Sequence, residues 1–371
     1  MTPPSVLIVG SGIIGAGFAY AAAQRYLPTR VISSLPVNSG GTATANSWAW
    51  INANTDNDRS YFDLRHASLH LWQRWMQMVP DLVASSSGGF VWDMDPETLR
   101  AFAACHEEWG YPVELLSADA IAAKLPCLCD VPALAAYVPT EMAIEPGDAV
   151  SALLAAGAIE PEQRHVHSLM IDQDRVYGVM TDDGPCTADE IILASGNGTP
   201  ALLESVGAAI QMTPTTGLLV KTQPLPKFLP HLLTAPDYHV RQTCTGQLLI
   251  GGTFNHHQTP DAGQSQQDAA TELAARVECA LHCPASLEVA SFSLGQRVIP
   301  KGGRPRIGRI QRSDGREIAG LYLAVMHSGI SNAAAVADHG IAEIVTGAPS
   351  PLLTPFRPGS GAIHESGSRT G

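Results

Sequence analysis

Ser5-Val-Leu-Ile-Val-Gly10-Ser-Gly12-Ile-Ile-Gly15-Ala-Gly17-Phe-Ala-Tyr-Ala-Ala-Ala-Gln24 reads as a β-strand, a glycine turn and an Ala-rich helix. Gly-x-Gly-x-x-Gly between a strand and a helix is the dinucleotide fingerprint in its required context. Gly10 allows the tight turn, Gly12 lets the backbone approach a pyrophosphate, and Gly15 lets the helix lie close on the strand. The diphosphate then meets the free N–H groups and positive dipole end of that helix, with Ile13 and Ile14 in its first turn. The next strand, Arg30-Val-Ile-Ser-Ser-Leu35, ends on Ser33 and Ser34. Dinucleotide folds commonly carry an acid there for the adenosine ribose. A serine bonds a ribose hydroxyl without charge assistance, which weakens the case for NAD and leaves FAD open.

A chain of 371 residues can bury a large core and is long enough for about two domains. Its hydrophobic content of 45% and mean hydropathy of +0.05 fit a globular protein. Charged residues make up only 15%, so much apolar surface is buried or shared, and an oligomer or a partner subunit is open. The formal net charge of −13 argues against nucleic acid or an anionic membrane as partner, because phosphate binding needs clustered Lys and Arg. No apolar run reaches the roughly 20 residues of a membrane span, and no basic leader precedes an apolar core. The expected compartment is cytoplasmic. Seven cysteines are scattered along the chain. Cys127/Cys129 and Cys279/Cys283 are the close pairs, the latter beside His282, and no second pair with zinc spacing accompanies either. Free thiols and no metal are expected.

Past the second strand runs Gly40-Gly41-Thr42-Ala-Thr44-Ala-Asn46-Ser47-Trp48-Ala-Trp50-Ile-Asn52-Ala-Asn54. It resembles the second cofactor motif of the FAD-dependent D-amino-acid oxidase and glycine oxidase superfamily, where this segment follows the diphosphate and passes under the isoalloxazine. Ala188-Asp-Glu-Ile-Ile-Leu-Ala-Ser195-Gly196 resembles that family's returning strand. The resemblance implies a backbone contact from Val166 to the adenine and passage of Ser195-Gly196 near the diphosphate. Asn197-Gly198 stands where a tryptophan commonly follows. Gly295-Gln-Arg297-Val-Ile-Pro-Lys-Gly-Gly-Arg-Pro-Arg-Ile-Gly308 resembles a third motif, with Val298 replacing a proline and Gly302 an aspartate. Leu321-Tyr-Leu-Ala-Val-Met-His327-Ser-Gly329-Ile330-Ser331-Asn332 resembles the terminal strand and turn that hold the pyrimidine end of the flavin.

The resemblance implies an α/β (α+β) fold, in which a Rossmann-like FAD-binding domain is joined to a substrate domain on a large mixed or antiparallel sheet. Residues 1–60, 139–208 and 295–347 would form the first, 61–138 and 209–294 the second, and 348–371 a disordered tail. Helices are expected over Asp56–Met78, Pro96–Trp109, Ala118–Lys124 (with Ser117 as N-cap), from Glu145 to about Ala156, over Gln266–His282 and over Ala333–Val345. Strands are expected at Phe90–Met94, Gly157–Glu160, His165–Leu169, Arg175–Thr181, Thr216–Thr222, Tyr238–Gln242 and Gln247–Thr253. Asp182-Asp-Gly184 reads as a hairpin turn, and Pro224–Pro236 as an irregular loop. No internal repeat is visible.

By resemblance the reaction is oxidation of a C–N bond in a small amine or amino acid. Hydride passes to FAD, the imine hydrolyses, and oxygen takes the electrons to give hydrogen peroxide. A dehydrogenase feeding a carrier and a flavin-binding subunit without turnover are the alternatives. The resemblance implies non-covalent FAD. Branches of the superfamily that tether it use a cysteine just before the final motif or a histidine in the second motif, whereas here no cysteine lies beyond Cys283 and no histidine between Gly40 and Asn54. A helix opening near Ser331 would stabilise negative charge on the reduced cofactor. An amino-acid substrate needs a carboxylate anchor, ideally a bidentate arginine. Arg297 is the first candidate and Arg241 the second, with Lys301 and Arg304 behind them. His327 is the candidate histidine of the final turn, and His256-His257 are read as loop residues. Trp48 and Asn52 are expected near the flavin.

Overall fold

Two sheets of nine strands each organise the described residues of the computed structural model, namely 3–54, 58–213, 215–252, 265–312 and 316–359. β1 (Val6–Val9), α1 (Ile13–Ala23) and β2 (Thr29–Ser33) form the opening unit, with Val6 opposite Thr29 in a parallel pair. β3 (Trp50–Ile51) precedes α2 (Arg59–Met78), where the Asp58 carboxylate accepts from Tyr61 N. β4 (Ala84–Val91), α3 (Pro96–Glu108), β5 (Glu114–Ser117), α4 (Ala118–Lys124) and β6 (Leu134–Ile144) follow. α5 (Pro146–Ala156), β7 (Glu162–Gln163), β8 (Val166–Asp172), β9 (Arg175–Thr181), β10 (Gly184–Thr187) and β11 (Glu190–Leu193) return to the first sheet. α6 (Thr199–Glu204) leads into β12 (Thr215–Thr222), β13 (Leu232–Thr234), β14 (His239–Gln242), β15 (Leu248–Gly251), α7 (Gln266–Ala280) and β16 (Val289–Arg297). β17 (Arg306–Gln311), β18 (Glu317–Val325) and α8 (Gly329–Thr346) close the fold.

The first sheet runs β10-β9-β18-β11-β1-β2-β7, with β17 on β18 and β8 on β9. Along β1, Val6 and Ile8 enter the core shared by the helices, while Leu7 and Val9 enter a second core on the opposite face. A parallel strand covered on both faces needs a continuous apolar run, and Val-Leu-Ile-Val supplies it. The small residues of α1 let it pack closely against α5 and α8. The second sheet runs β16-β12-β15-β14-β13-β4-β6-β3, with β5 on β6. Val220, Val240 and Ile250 share an apolar cluster with Leu273 and Val277 of α7.

Several sequence expectations are corrected. Gly157–Glu160 is not a strand: Gly157 N and Ile159 N donate to Leu153 O and Leu154 O, so the chain is still closing α5, and the strand falls at Glu162–Gln163. The segment 224–236 contains β13, because Leu232 and Leu233 are buried and pair parallel to β4 between flanking prolines. Ser117 occupies the N-cap of α4 without a side-chain capping bond. β6 has no counterpart among the elements expected from sequence.

The tail also differs. Leu353 and Phe356 are fully buried against the helix core, and the Arg357 guanidinium pairs with the Glu343 carboxylate, which also accepts from Tyr322 at 2.6 Å. Burial of two large apolar side chains holds this segment down, so residues 348–359 are ordered. Residues 360–371 lie outside the described residues, as do Asp56, His256 and His257. Among the described residues no helix is long and apolar enough to cross a membrane.

Candidate active site

A cavity of about 1600 Å³ is lined by residues of both sheets. It exceeds the ~300–1,000 Å³ of an ordinary small-molecule pocket and has room for a dinucleotide with a second ligand. One wall is the turn after β1. Gly10 has φ +111°, which a side chain would strain, and Gly10 N donates to Ile32 O at 2.8 Å. A Cβ on Gly15 would overlap the Gly10 carbonyl, so Gly15 acts through packing and does not line the cavity. Gly12, Ile13 and Ile14 do line it. The first intrahelical bond of α1 is Ala16 N to Gly12 O, and Ile13 N donates instead to Thr44 Oγ1 at 3.1 Å. The helix thus presents its positive end to the cavity.

Ser33 and Ser34 line the same wall, and the Ser33 hydroxyl donates to Leu35 O at 3.0 Å. The second motif is a loop that clamps itself. Asn46 Nδ2 donates to Gly40 O at 2.7 Å and Thr42 O at 2.9 Å, and Ala45 N donates to Thr42 Oγ1. Gly41, Thr42, Thr44, Asn46, Ser47 and Trp48 all face the cavity, as do Val166, Ser195 and Gly196. At the end of β18, Ser328 takes φ +53° and turns the chain into α8, which brings His327, Gly329, Ile330 and Ser331 to the cavity. The Ser331 hydroxyl donates to Trp50 O at 2.7 Å, tying this turn to the second motif. Asn332 is a correction. It does not line the cavity; it is fully buried, and its Nδ2 donates to Tyr61 Oη and His327 O.

The two leading arginine candidates separate. Arg297, at the end of β16, lines the cavity. Among the described residues its guanidinium has no acidic partner, and burial lowers its pKa. Arg241 is a correction. It is completely buried outside the cavity lining, and it donates to Trp48 O at 2.7 Å, Ile144 O at 3.0 Å, Ser85 Oγ at 2.9 Å and the Glu145 carboxylate at 2.8 Å. With its N–H donors engaged in this way it ties the second motif in place and is not available to a substrate. Lys301 is exposed and Arg304 pairs with Asp58 and Ser60, and neither lines the cavity.

His327 is pushed down to about 4 by burial and then by Arg297 and Arg65, and His239 to about 3 by burial and then by Arg297. Both imidazoles are therefore neutral at pH 7, and the local charge is positive. His239 sits edge-on to Trp48, with ring centroids 4.6 Å apart.

Sequence reasoning missed His239, Arg65 and Glu141. Arg65 lines the cavity and donates to Asn52 O at 3.0 Å and Asn52 Oδ1 at 2.5 Å. Its signal was an arginine on the buried stripe of α2, in line with Phe62, Leu69 and Trp72. Glu141 is fully buried in β6 and accepts from Trp50 Nε1 at 2.9 Å and Tyr111 Oη at 2.7 Å. Burial pushes its carboxyl up to about 8, against the opposing hydrogen bonds and Arg65. A lone charged residue in the otherwise uncharged stretch Leu134–Ile144 was the available sign. No group of three or more His, Cys, Asp or Glu among the described residues could hold a metal ion.

The residues present fit FAD. A glycine turn into which no Cβ fits, a helix N-terminus and a long cavity together suit a diphosphate with a ring system at each end. Comparison with known proteins agrees. The sequence profile of the family described as "DAO: FAD dependent oxidoreductase" matches residues 5–342. The chain is similar to a glycine oxidase of Pseudomonas putida, 25% identical over 334 residues, covering 84% of this chain and 87% of that protein. A glycine oxidase of Pseudomonas aeruginosa is 28% identical over 159 residues, and that match spans 42% of each protein. The fold resembles the crystal structure of glycine oxidase from Bacillus cereus, with a TM-score of 0.79 at 19% identity over 95% of this chain and 98% of that one.

Proposed function

The chain belongs to the DAO family of FAD-dependent oxidoreductases, and from that premise we propose that it oxidises the C–N bond of a small amine or amino acid, with oxygen as the final electron acceptor. The observation that carries this reading is Arg297, a desolvated guanidinium in the cavity with no acidic partner among the described residues. An unpaired cation withdrawn from water is costly, and a substrate carboxylate accepting two of its N–H bonds relieves that cost. Arg297 therefore binds and orients the substrate.

The neutral His239 and His327 leave Arg297 and Arg65 as the cations of this wall, so the field favours an anion. Hydride removal from a neutral amine needs no strong protein base, and neither imidazole is one. Trp48 and Trp50 exclude water from the reacting carbon, and the N-terminus of α8 favours negative charge near Gly329 and Ile330. Bound FAD supplies a two-electron acceptor for the hydride leaving the α-carbon. The substrate loses that hydride and an N–H proton to become an imine, and water then converts the imine to a carbonyl with release of the amine nitrogen. Oxygen accepts the two electrons and two protons as hydrogen peroxide.

The test is an absorption spectrum of the purified holoprotein, followed by anaerobic addition of amines and amino acids. Flavin bands that bleach with an amino acid and return in air with peroxide are expected. A chain that takes up no FAD, or whose FAD no amine bleaches, overturns the reading. Recovery with a dye but not with air replaces oxidase by dehydrogenase.

A further inference from the structure

Away from the flavin motifs, the cavity has a wall with no function assigned so far. Asp93 follows β4 and lines the cavity beside Met94. Its Oδ1 is shielded from solvent and has no hydrogen-bond partner. Thr234 ends β13, the parallel neighbour of β4, and Trp92 N donates to Thr234 O at 3.0 Å. Thr234 also lines the cavity, and its hydroxyl is buried without a hydrogen-bond partner. Two unsatisfied oxygens on adjacent strands at one cavity wall call for a donor, since buried polar groups are nearly always hydrogen-bonded.

The surroundings narrow the donor to a cation. From α3 and its C-cap, Thr98, Ala101, Phe102, Cys105, His106 and Trp109 line the cavity. Phe102 packs in the same apolar cluster as Met94, while Trp109 already has Arg59 over its ring at 5.8 Å. A carboxylate on an apolar, partly aromatic wall suits an ammonium or guanidinium carried on an apolar stem. Burial raises the Asp93 carboxyl, opposed by its own backbone N–H and by no neighbouring cation, so a cationic ligand would favour its ionised form. Arg297 stands on β16, five positions from β4 in the order of the sheet, and does not perturb Asp93. The cavity thus has a cationic pole and a separate anionic pole.

We infer that the substrate is an amino acid with a long side chain ending in a positive charge, its carboxylate on Arg297 and its distal cation on Asp93 and Thr234. This rests on the proposed amine oxidation for its chemistry and goes beyond it in naming the side chain.

The test uses the holoenzyme with both enantiomers of lysine, ornithine and arginine, and with norleucine and norvaline as neutral counterparts. Anaerobic flavin bleaching reports oxidation, and calorimetry reports binding independently of turnover. Cationic members should exceed neutral ones at least about tenfold in kcat/KM and in affinity. Asp93→Asn should collapse that ratio with the flavin spectrum retained, and Thr234→Val should lower it in part. Asp93→Lys should turn the preference toward glutamate. Bleaching by neutral amino acids with no preference for charge, or a preference that survives both Asp93 variants, overturns the inference and leaves the oxidation reading standing. Binding of arginine that depends on Asp93, with no bleaching by any amine, overturns the oxidation reading and leaves the cation site standing.

Discussion

Arg241 and Arg297 stand on two strands of the same sheet, and their surroundings give them opposite roles. Around Arg241 the acceptors are already in place: two carbonyls, a serine hydroxyl and the Glu145 carboxylate, all from segments that also hold the second cofactor motif. Around Arg297 there is cavity, two neutral imidazoles and no carboxylate among the described residues. An arginine whose donors are filled contributes to the fold, and one whose donors are idle in a desolvated cavity is poised for a ligand. The same contrast divides the molecule. The cofactor wall is built from contiguous turns, and the wall around Arg297 from single side chains brought together over long range.

The most severe way to break the cofactor wall is Gly15→Val. Its Cβ cannot share space with the Gly10 carbonyl, so the variant is expected to purify without flavin, which an absorption spectrum reads directly. Next comes Arg241→Met, which strands the Glu145 carboxylate and releases the Trp48 carbonyl. A loss of about 3–5 kcal/mol in unfolding free energy is expected in a denaturant titration. Arg297→Met should behave in the opposite sense. Stability stays level or rises, while kcat/KM for a carboxylated substrate falls by about 2–4 kcal/mol, roughly 30- to 1,000-fold. If both arginine variants lose stability alike, the distinction drawn between them is wrong.

The smallest effect is in pH dependence. Glu141 is raised to about 8, so between about 4.5 and 8 the folded chain holds a proton that the unfolded chain releases, and stability falls as pH rises. His239 and His327 are depressed to about 3 and about 4, so below about 6.5 the unfolded chain binds protons that the folded one excludes, and stability falls as pH drops. Thermal stability should peak near pH 6.5. Glu141→Gln should flatten the alkaline side, where the slope is at most ~1.4 kcal/mol per pH unit. An unchanged slope would mean that the Glu141 carboxyl is ionised in the fold.

How far the molecule was legible in its sequence follows the same division. The glycine turn, the Ala-rich helix and the turn at His327–Ile330 each put their requirement into neighbouring residues, as a left-handed or crowded backbone must. The dinucleotide-binding unit could be read from them, and the second sheet followed from the family resemblance they carry. The fates of Arg241 and Arg297 could not, because both are arginines in strands and what separates them is Glu145, 96 residues from one of them. Asn332 shows the same limit at one residue's distance, since rotation along α8 carries it from the cavity edge into the core beside Tyr61. Leu232-Leu233-Thr234 reads as a loop beside prolines until β4 offers it a partner. Residues 348–359 have a disordered composition, yet Leu353 and Phe356 find a cavity that only the assembled helices provide.

β18 lies between β9 and β11, and β11 in turn pairs with β1, so the strand that completes the interior of the first sheet is among the last to be made. At roughly 5–20 residues per second, a ribosome needs about 15–60 s to travel from Val9 to Val325. For all of that time the nascent glycine turn lacks the neighbour that buries its sheet, and α1 lacks α8. The first sheet, and with it the cofactor wall, is therefore completed only once β18 has been made. Until then β1 and α1 can pack on β2, α5 and β11, but not on β18 or α8.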